Sequence, residues 1–380
     1  MDVLIVGGGL GGVAAAVALR RAGIEAEVFE QTGELREIGA GLSVWPNATH
    51  VLADLGLLGA ARARSGEIRR LELRDPFGAL LSTVEMPGRF PTPSLCIHRA
   101  DLLALLAREL PETQLHLGKR FESFEERDDR IVARFSDGDQ VESRVLVGAD
   151  GLFSRVRTAL FGTEQPVYRG CHGWRGLAPI RHGLGETAIE FWGPGRRIGI
   201  EPMGPERIFW YATENAPHGS IGAPESWRAR LAQLFEGWDQ RALDAIQHTP
   251  QHALLCHDLY DRPPRASWSR GRATLLGDAA HPTTPYLGQG ACMALEDAYV
   301  LARCIAKRGA TVAALRHFKC ERIVRTSMIT MQSRHIGWLG QWQRPSAVAL
   351  RTALLKSMPR FVYELQHWML YRGPMPSETP

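Results

Sequence analysis

The sequence predicts an α/β fold: a Rossmann-like nucleotide-binding domain, a β-rich domain inserted into it, and a C-terminal helical segment. Three observations carry that reading. A βαβ unit opens the chain, with Gly7-Gly8-Gly9-Leu10-Gly11-Gly12 as its turn. From 165 to 270 the texture changes to β-rich segments broken by many turns. Beyond Gly290 almost the whole chain has helical spacing.

The opening unit is compact. Val3-Leu4-Ile5-Val6 is a continuous apolar run, as a buried strand is. Val13 to Ala22 is an alanine-rich helix, Gly23 stops it, and Ala26 to Glu30 is a second strand. Gly7, Gly9 and Gly12 match the GxGxxG spacing: a tight turn, close approach of backbone to a pyrophosphate, and close packing of helix on strand. Glu30 stands eighteen residues after Gly12, placed for a ribose hydroxyl. The unit reads as dinucleotide-binding, with FAD and NAD both open at this point.

Next come a glycine-marked loop, Arg36 to Leu42, and a helix from Ala48 to near Gly56. Residues 66 to 92 alternate strand-like segments with Pro76, Gly78, Pro87 and Gly88. Ile97-His98-Arg99 leads into a helix, Leu102 to Leu110. Strands are expected near 113–118, 121–126 and 131–136, with a hairpin turn at Asp137-Gly138. Val145 to Gly151 is another buried strand ending in an acid and a glycine, before a helix carrying Arg155 and Arg157.

The β-rich region carries Trp174, Phe191-Trp192 and Phe209-Trp210-Tyr211, with a helical insert near 225–246. It reads as a sheet with an aromatic face. Any one such residue is more often core, yet some should line the cavity that two domains enclose. The expected division is 1–70, 96–164 and 270–330 for the nucleotide domain. The β-rich domain takes 71–95 and 165–269, and the C-terminal helices take 331–380.

The organising stretch is 272–305. A short strand, Ala273 to Leu276, ends at Gly277-Asp278, and a loop with two prolines and two glycines follows. A helix then starts near Gly290, with Met293, Ala294, Ala298, Leu301, Ala302 and Ile305 at helical spacing. A carboxylate beside a helix N-terminus suits a ligand with hydroxyls and a partial negative charge. An isoalloxazine with its ribityl chain has both; an ordinary strand-loop-helix crossover has the same outline. Residues 311–370 read as helix apart from Pro345 and Pro359. The apolar series Trp338, Leu339, Trp342, Val348, Leu350, Leu354 and Leu355 is expected to pack on the first domain. A dimer interface or a membrane-surface contact are its alternatives.

Composition narrows the class. Hydrophobic content of 44% and charge of 23% are globular values in a chain of 380 residues, long enough for two domains. The net charge of +4 is spread over scattered arginines, which argues against nucleic-acid binding. The six cysteines show neither CxxC nor zinc spacing, so no metal is expected and a reducing cytoplasm fits. No cleavable leader and no run of about eighteen apolar residues is found, so no transmembrane segment is expected.

Three motifs occur in order: the glycine turn, Gly148-Ala149-Asp150-Gly151 with Ser154-Arg155-Val156-Arg157, and Gly277-Asp278-Ala279-Ala280-His281-Pro282. Together they make the chain resemble, over most of its length, the single-component FAD-dependent aromatic hydroxylases, the para-hydroxybenzoate-hydroxylase-like flavoprotein monooxygenases. Gly39 to Asn47 and Gly337 to Trp342 bring it nearest the urate, 3-hydroxybenzoate and alkylquinolone hydroxylase group. The resemblance implies a non-covalent FAD. Glu30 would meet the adenosine ribose, Arg99 the pyrophosphate and ribityl region, and Asp278 the ribityl hydroxyls or pyrophosphate side. Gly288 and Gly290 would meet the pyrimidine edge. Arg36 and Gly41 join this cofactor set. Asp150 is associated with both FAD and the nicotinamide cofactor, with a helix-capping role as its alternative. No second dinucleotide motif occurs, so NAD(P)H is expected to bind transiently.

The implied activity is hydroxylation of an aromatic or heteroaromatic small molecule with NAD(P)H and O2 through a flavin C4a-hydroperoxide. Such an intermediate needs a dry pocket. Leu42, Trp174, Phe191, Phe209 and Pro285 are the expected lining. Arg197 is the expected substrate contact, against a surface salt bridge as alternative; Tyr211 faces the same side as Phe209. Phe209 stands where urate-hydroxylating relatives have a tyrosine, which argues against urate. His281 is the candidate base. A same-fold epoxidase or dehydrogenase and a catalytically silent flavin-binding protein are the other readings. The protein is expected to be cytoplasmic and a monomer or homodimer.

Overall fold

The computed structural model describes residues 1–35, 40–86, 88 and 90–373. A six-stranded sheet runs in the order Ser269–Arg270, Ala273–Leu275, Val145–Gly148, Val3–Val6, Ala26–Phe29, Leu115–His116. All neighbours are parallel except the first pair. The uninterrupted apolar run at Val3–Val6 follows from burial on both faces. Val3 and Ile5 join the core of the helices Leu10–Arg21 and Gly290–Arg308. Leu4 and Val6 face the meander Phe121–Ser143 and the helix Arg155–Phe161. The strand expected at 113–118 is only Leu115–His116, because a 3-10 turn at Glu112–Gln114 takes its first residues.

A second sheet has seven strands, in the order Leu255–Asp261, Val167–Ala178, Ile208–Asn215, Arg196–Pro202, Thr187–Gly193, Arg70–Arg74, Leu80–Glu85. Its two faces differ because side chains alternate along each strand. One face carries Trp174, Phe191, Ile198, Ile200 and Trp210, packed beneath Leu231, Ala242 and Ile246 of the helices Trp227–Leu234 and Gln240–Gln247 and beneath Phe235 between them. The other carries Arg175, Glu190, Arg197, Gly199, Glu201, Phe209 and Tyr211. That face meets a three-stranded sheet of Gly41–Val44, Ser94–His98 and Ser65–Ile68, where Ser43 bonds Glu201.

The last three helices among the described residues are Val312–Gly340, Pro345–Ser357 and Arg360–Tyr371. Pro345 starts its helix rather than breaking one, since the first turn needs no donor. Packing of the whole apolar series on the first domain is corrected here. Leu355 is buried against Leu81 and Trp192 of the seven-stranded sheet, while Trp338, Leu350 and Leu354 are exposed. Helical spacing gives a face its composition, not its partner.

Candidate active site

The glycine turn is sterically closed. Gly7 has φ +113°, and a Cβ there would press on Ala149 and sit 2.8 Å from Asp150 N. A Cβ on Gly12 would overlap the Gly7 carbonyl. Gly9 is the extended residue that begins the helix Leu10–Arg21. Gly8 N–H donates to Glu30 at 2.6 Å, and Thr32 donates to the other Glu30 oxygen from N and Oγ1 at 2.9 and 3.0 Å. The acid thus closes the turn onto the end of the second strand.

The Gly277–Ala279 turn is held from behind. Arg157 donates to the carbonyls of Ala279 and Ala280 at 3.0 and 3.1 Å. Asp297 accepts from Gly277 N at 3.0 Å, pairs with His281 Nε2 at 2.5 Å and with Arg322 Nε at 2.6 Å. Glu296 beside it pairs with Arg322 and Arg325, and Asn47 donates to it at 2.6 Å. Burial pushes Asp297 up, but His281 and Arg322 outweigh it and hold the carboxyl at about 2.

That scaffold presents Asp278. Asp278 and Arg175 keep solvent access although protein encloses them, as residues lining a cleft do. Burial raises the Asp278 carboxyl, partly offset by His281, Arg99 and Arg175. Burial lowers Arg99, and brings Arg175 down to about 10 with the help of Arg99. His257 is driven to about 4 by burial and by Arg175, so it is neutral near pH 7. Gly288 is left-handed at φ +60°, and a Cβ on it would sit 2.8 Å from Trp45 Nε1, a buried donor without a hydrogen-bond partner. The helix Gly290–Arg308 begins two residues later. A carboxylate, two guanidiniums, an unmet indole N–H and a helix N-terminus fit the ribityl chain and pyrimidine edge of a flavin dinucleotide.

Across from this turn, Arg197 is 1% exposed. Its Nη1 lies 3.1 Å from Glu190 Oε1, off the axis of a hydrogen bond, and both Nη1 and Nε lack hydrogen-bond partners. Its guanidinium lies 4.1 Å from the centroid of the Tyr286 ring. Tyr211 lies over Gly199, its phenol raised by burial and by Glu190 and Glu201. Phe209 is buried against Gly41. Half-buried Leu42 and Pro285 stand on the facing elements.

Several expected site residues take other positions. Trp174 and Phe191 sit on the far face of the sheet, one residue out of phase with Arg175 and Glu190. Asp150 spends both carboxylate oxygens on the helix at 155–161, accepting from Ser154 Oγ at 2.5 Å, Arg155 N at 2.7 Å and Val156 N at 3.2 Å. Gly41 is small because Phe209 and Met203 press on it. His281 is buried, its Nε2 taken by Asp297 and its Nδ1 without a hydrogen-bond partner, so one ring nitrogen braces the turn and the other is unspent. Arg197 is not a surface arginine. Arg36 lies outside the described residues. Arg175, Glu190, Glu201, His257 and Tyr371 were missed; for the strand residues, the alternation with Arg197 and Tyr211 was the available signal.

Residues 1–322 match the FAD-binding domain family. The chain is 38% identical to an aurachin C monooxygenase/isomerase of Stigmatella aurantiaca, over 94% of each chain. It is 33% identical to a 2-heptyl-3-hydroxy-4(1H)-quinolone synthase of Pseudomonas aeruginosa, over 98% of each. The structure of Klebsiella pneumoniae HpxO complexed with FAD and uric acid superposes with a TM-score of 0.91 at 28% identity, covering 98% of this chain and 97% of that one. With this glycine turn, this aspartate turn and these relatives, the chain belongs to the FAD-binding family of flavin-dependent aromatic hydroxylases.

Proposed function

We propose that the substrate is a neutral heteroaromatic ring bearing a carbonyl, of the 4-quinolone class, hydroxylated with NAD(P)H and O2. One observation carries this reading: Arg197 is buried with two unmet donors, yet its charge is already countered by Glu190. A guanidinium in that state offers direction without net charge, which suits a carbonyl oxygen more than a carboxylate. Glu201 puts a second acid on the same face, raised by burial to about 7, so an anionic ring finds no countercharge there. Phe209 supplies no hydroxyl to a polar purine. The Pseudomonas relative named for a 3-hydroxy-4(1H)-quinolone supports the class.

FAD, when bound, supplies the redox chemistry and the activation of oxygen. The chain's own residues do the rest. Asp278, Arg99 and the start of the helix at Gly290 hold and polarise the cofactor, Arg197 turns the substrate ring, and Phe209, Leu42 and the Pro285–Leu287 turn keep water out. The test is substrate-stimulated NAD(P)H consumption with 18O from 18O2 recovered in product. Neutral alkylquinolones should stimulate more than urate or hydroxybenzoates. A urate or benzoate response exceeding the quinolone response overturns the reading.

A further inference from the structure

We propose that the C-terminal arm, helices Pro345–Ser357 and Arg360–Tyr371, docks the protein on an anionic lipid surface. On the last helix Phe361, Leu365 and Trp368 are 65%, 51% and 46% exposed. With Arg372 they fall at i, i+4, i+7 and i+11, a single stripe of helix surface. Leu350 and Leu354 repeat the pattern on the preceding helix, and Trp338 stands exposed near the end of the long one. Exposed apolar side chains scattered singly need no explanation, but a stripe of aromatics and leucines does.

The opposite side of that last helix is already committed. Leu370 and Tyr371 are buried, and the Tyr371 ring stacks on Trp45 at 4.8 Å. Arg325 clamps the carbonyls of Met369 and Leu370 at 3.2 and 2.8 Å. The helix is therefore fixed to the body by its inner side, and the outward stripe is no consequence of a loose end.

Charge selects the partner. Between Arg344 and Arg372 the cations are Arg344, Arg351, Lys356, Arg360 and Arg372, against one acid, Glu364. Arg351 is spent on backbone carbonyls of Gly193, Leu339 and Gly340. Arg344, Lys356 and Arg372 are exposed. The Arg372 guanidinium lies 4.7 Å from the centroid of the Trp368 ring, pairing a cation with an exposed aromatic as an interfacial helix does. A second copy seated on this stripe would bring cations against cations; lipid phosphates relieve them. No helix among the described residues is long and apolar enough to cross a membrane, so the arm lies on the surface.

The same helix reaches from the outward stripe to Trp45 beside Gly288. The docking proposal does not depend on the quinolone reading above. The experiment uses FAD-loaded protein and vesicles of equimolar phosphatidylcholine and phosphatidylglycerol, with phosphatidylcholine alone as comparison. Co-sedimentation with the anionic vesicles is expected, roughly tenfold or more weaker on neutral ones and at high salt. Phe361→Ser/Leu365→Ser/Trp368→Ser should abolish it with FAD content unchanged. Lys356→Glu/Arg372→Glu, which leaves the apolar stripe intact, should weaken it roughly tenfold or more. Absence of binding, binding untouched by both variants, or a lipid-free dimer that the triple variant dissolves would overturn the proposal.

Discussion

The Arg197 guanidinium rests on the Tyr286 ring, 4.1 Å from its centroid, and so ties the seven-stranded sheet to the loop that precedes the helix at Gly290. Tyr286 is fixed in turn: its hydroxyl contacts Cys171 Sγ at 3.3 Å, and a Cβ on Gly337 would overlap its ring. Neither partner can move without the other, which gives the unmet donors of Arg197 a set direction.

Arg197→Ala should therefore lower kcat/KM about ten- to a hundredfold, the worth of a hydrogen bond from a charged donor. Uncoupling should accompany it, since a ring misplaced by an ångström loses effective molarity steeply. Arg197→Lys should not restore coupling, because the fork is lost. The measurement is product formed per NAD(P)H consumed, with FAD content as control. An unchanged ratio removes Arg197 from the substrate site.

For Asp278 the expected loss lies in the cofactor. Asp278→Ala removes the carboxylate that faces Arg99 and Arg175, and FAD affinity should fall about ten- to a hundredfold. Titration of apoprotein with FAD, followed by flavin fluorescence, reads the change. Binding as tight as that of the parent would show that the carboxylate does not touch the cofactor.

Much of this arrangement was legible beforehand, and the parts that were not have a common cause. Glycines 7 and 12 and the Asp278 turn are local: spacing along the chain states the steric demand. Trp174 and Phe191 were misplaced because aromatic character marks a residue for burial without saying which face buries it. The phase of alternation with Arg175 decides that, and it needs the strand register. Asn47 and Glu296 are 249 residues apart, and no periodicity connects them. His281 follows the aspartate turn directly, whereas its partner Asp297 lies about two helix turns inside the next element.

The network behind the turn predicts a stability effect. Asp297→Asn leaves Arg322, which is 1% exposed, with one carboxylate instead of two. Breaking a buried pair costs about 3–5 kcal/mol, so the melting temperature should drop by several degrees. The sign with pH follows from a carboxyl lowered from 3.8 to about 2. Its contribution is full above 3.8 and is lost as pH falls through 2. A variant as stable as its parent at neutral pH would mean that Glu296 alone neutralises Arg322.

Glu201 predicts the opposite slope. It is buried on the pocket face, with Ser43 Oγ 2.8 Å from both carboxylate oxygens. Burial raises it from 4.5 to about 7, with Ser43 and Cys96 offsetting only part of that. A raised acid stabilises the fold while protonated: its contribution is full below 4.5 and is lost as pH rises through 7. The loss amounts to about 3 kcal/mol, from the size of the shift. Glu201→Gln keeps an acceptor for Ser43 and cannot ionise. The variant should therefore match the parent near about pH 5 and exceed it by roughly 2–4 kcal/mol near about pH 8.5. His257 titrates in the same window with the reverse sign, since its folded value falls from 6.5 to about 4. That term is common to both proteins and cancels when their unfolding free energies are subtracted at each pH. Denaturant titrations at the two pH values supply the four numbers. A difference between variant and parent that does not change with pH would mean that Glu201 stays ionised in the folded protein.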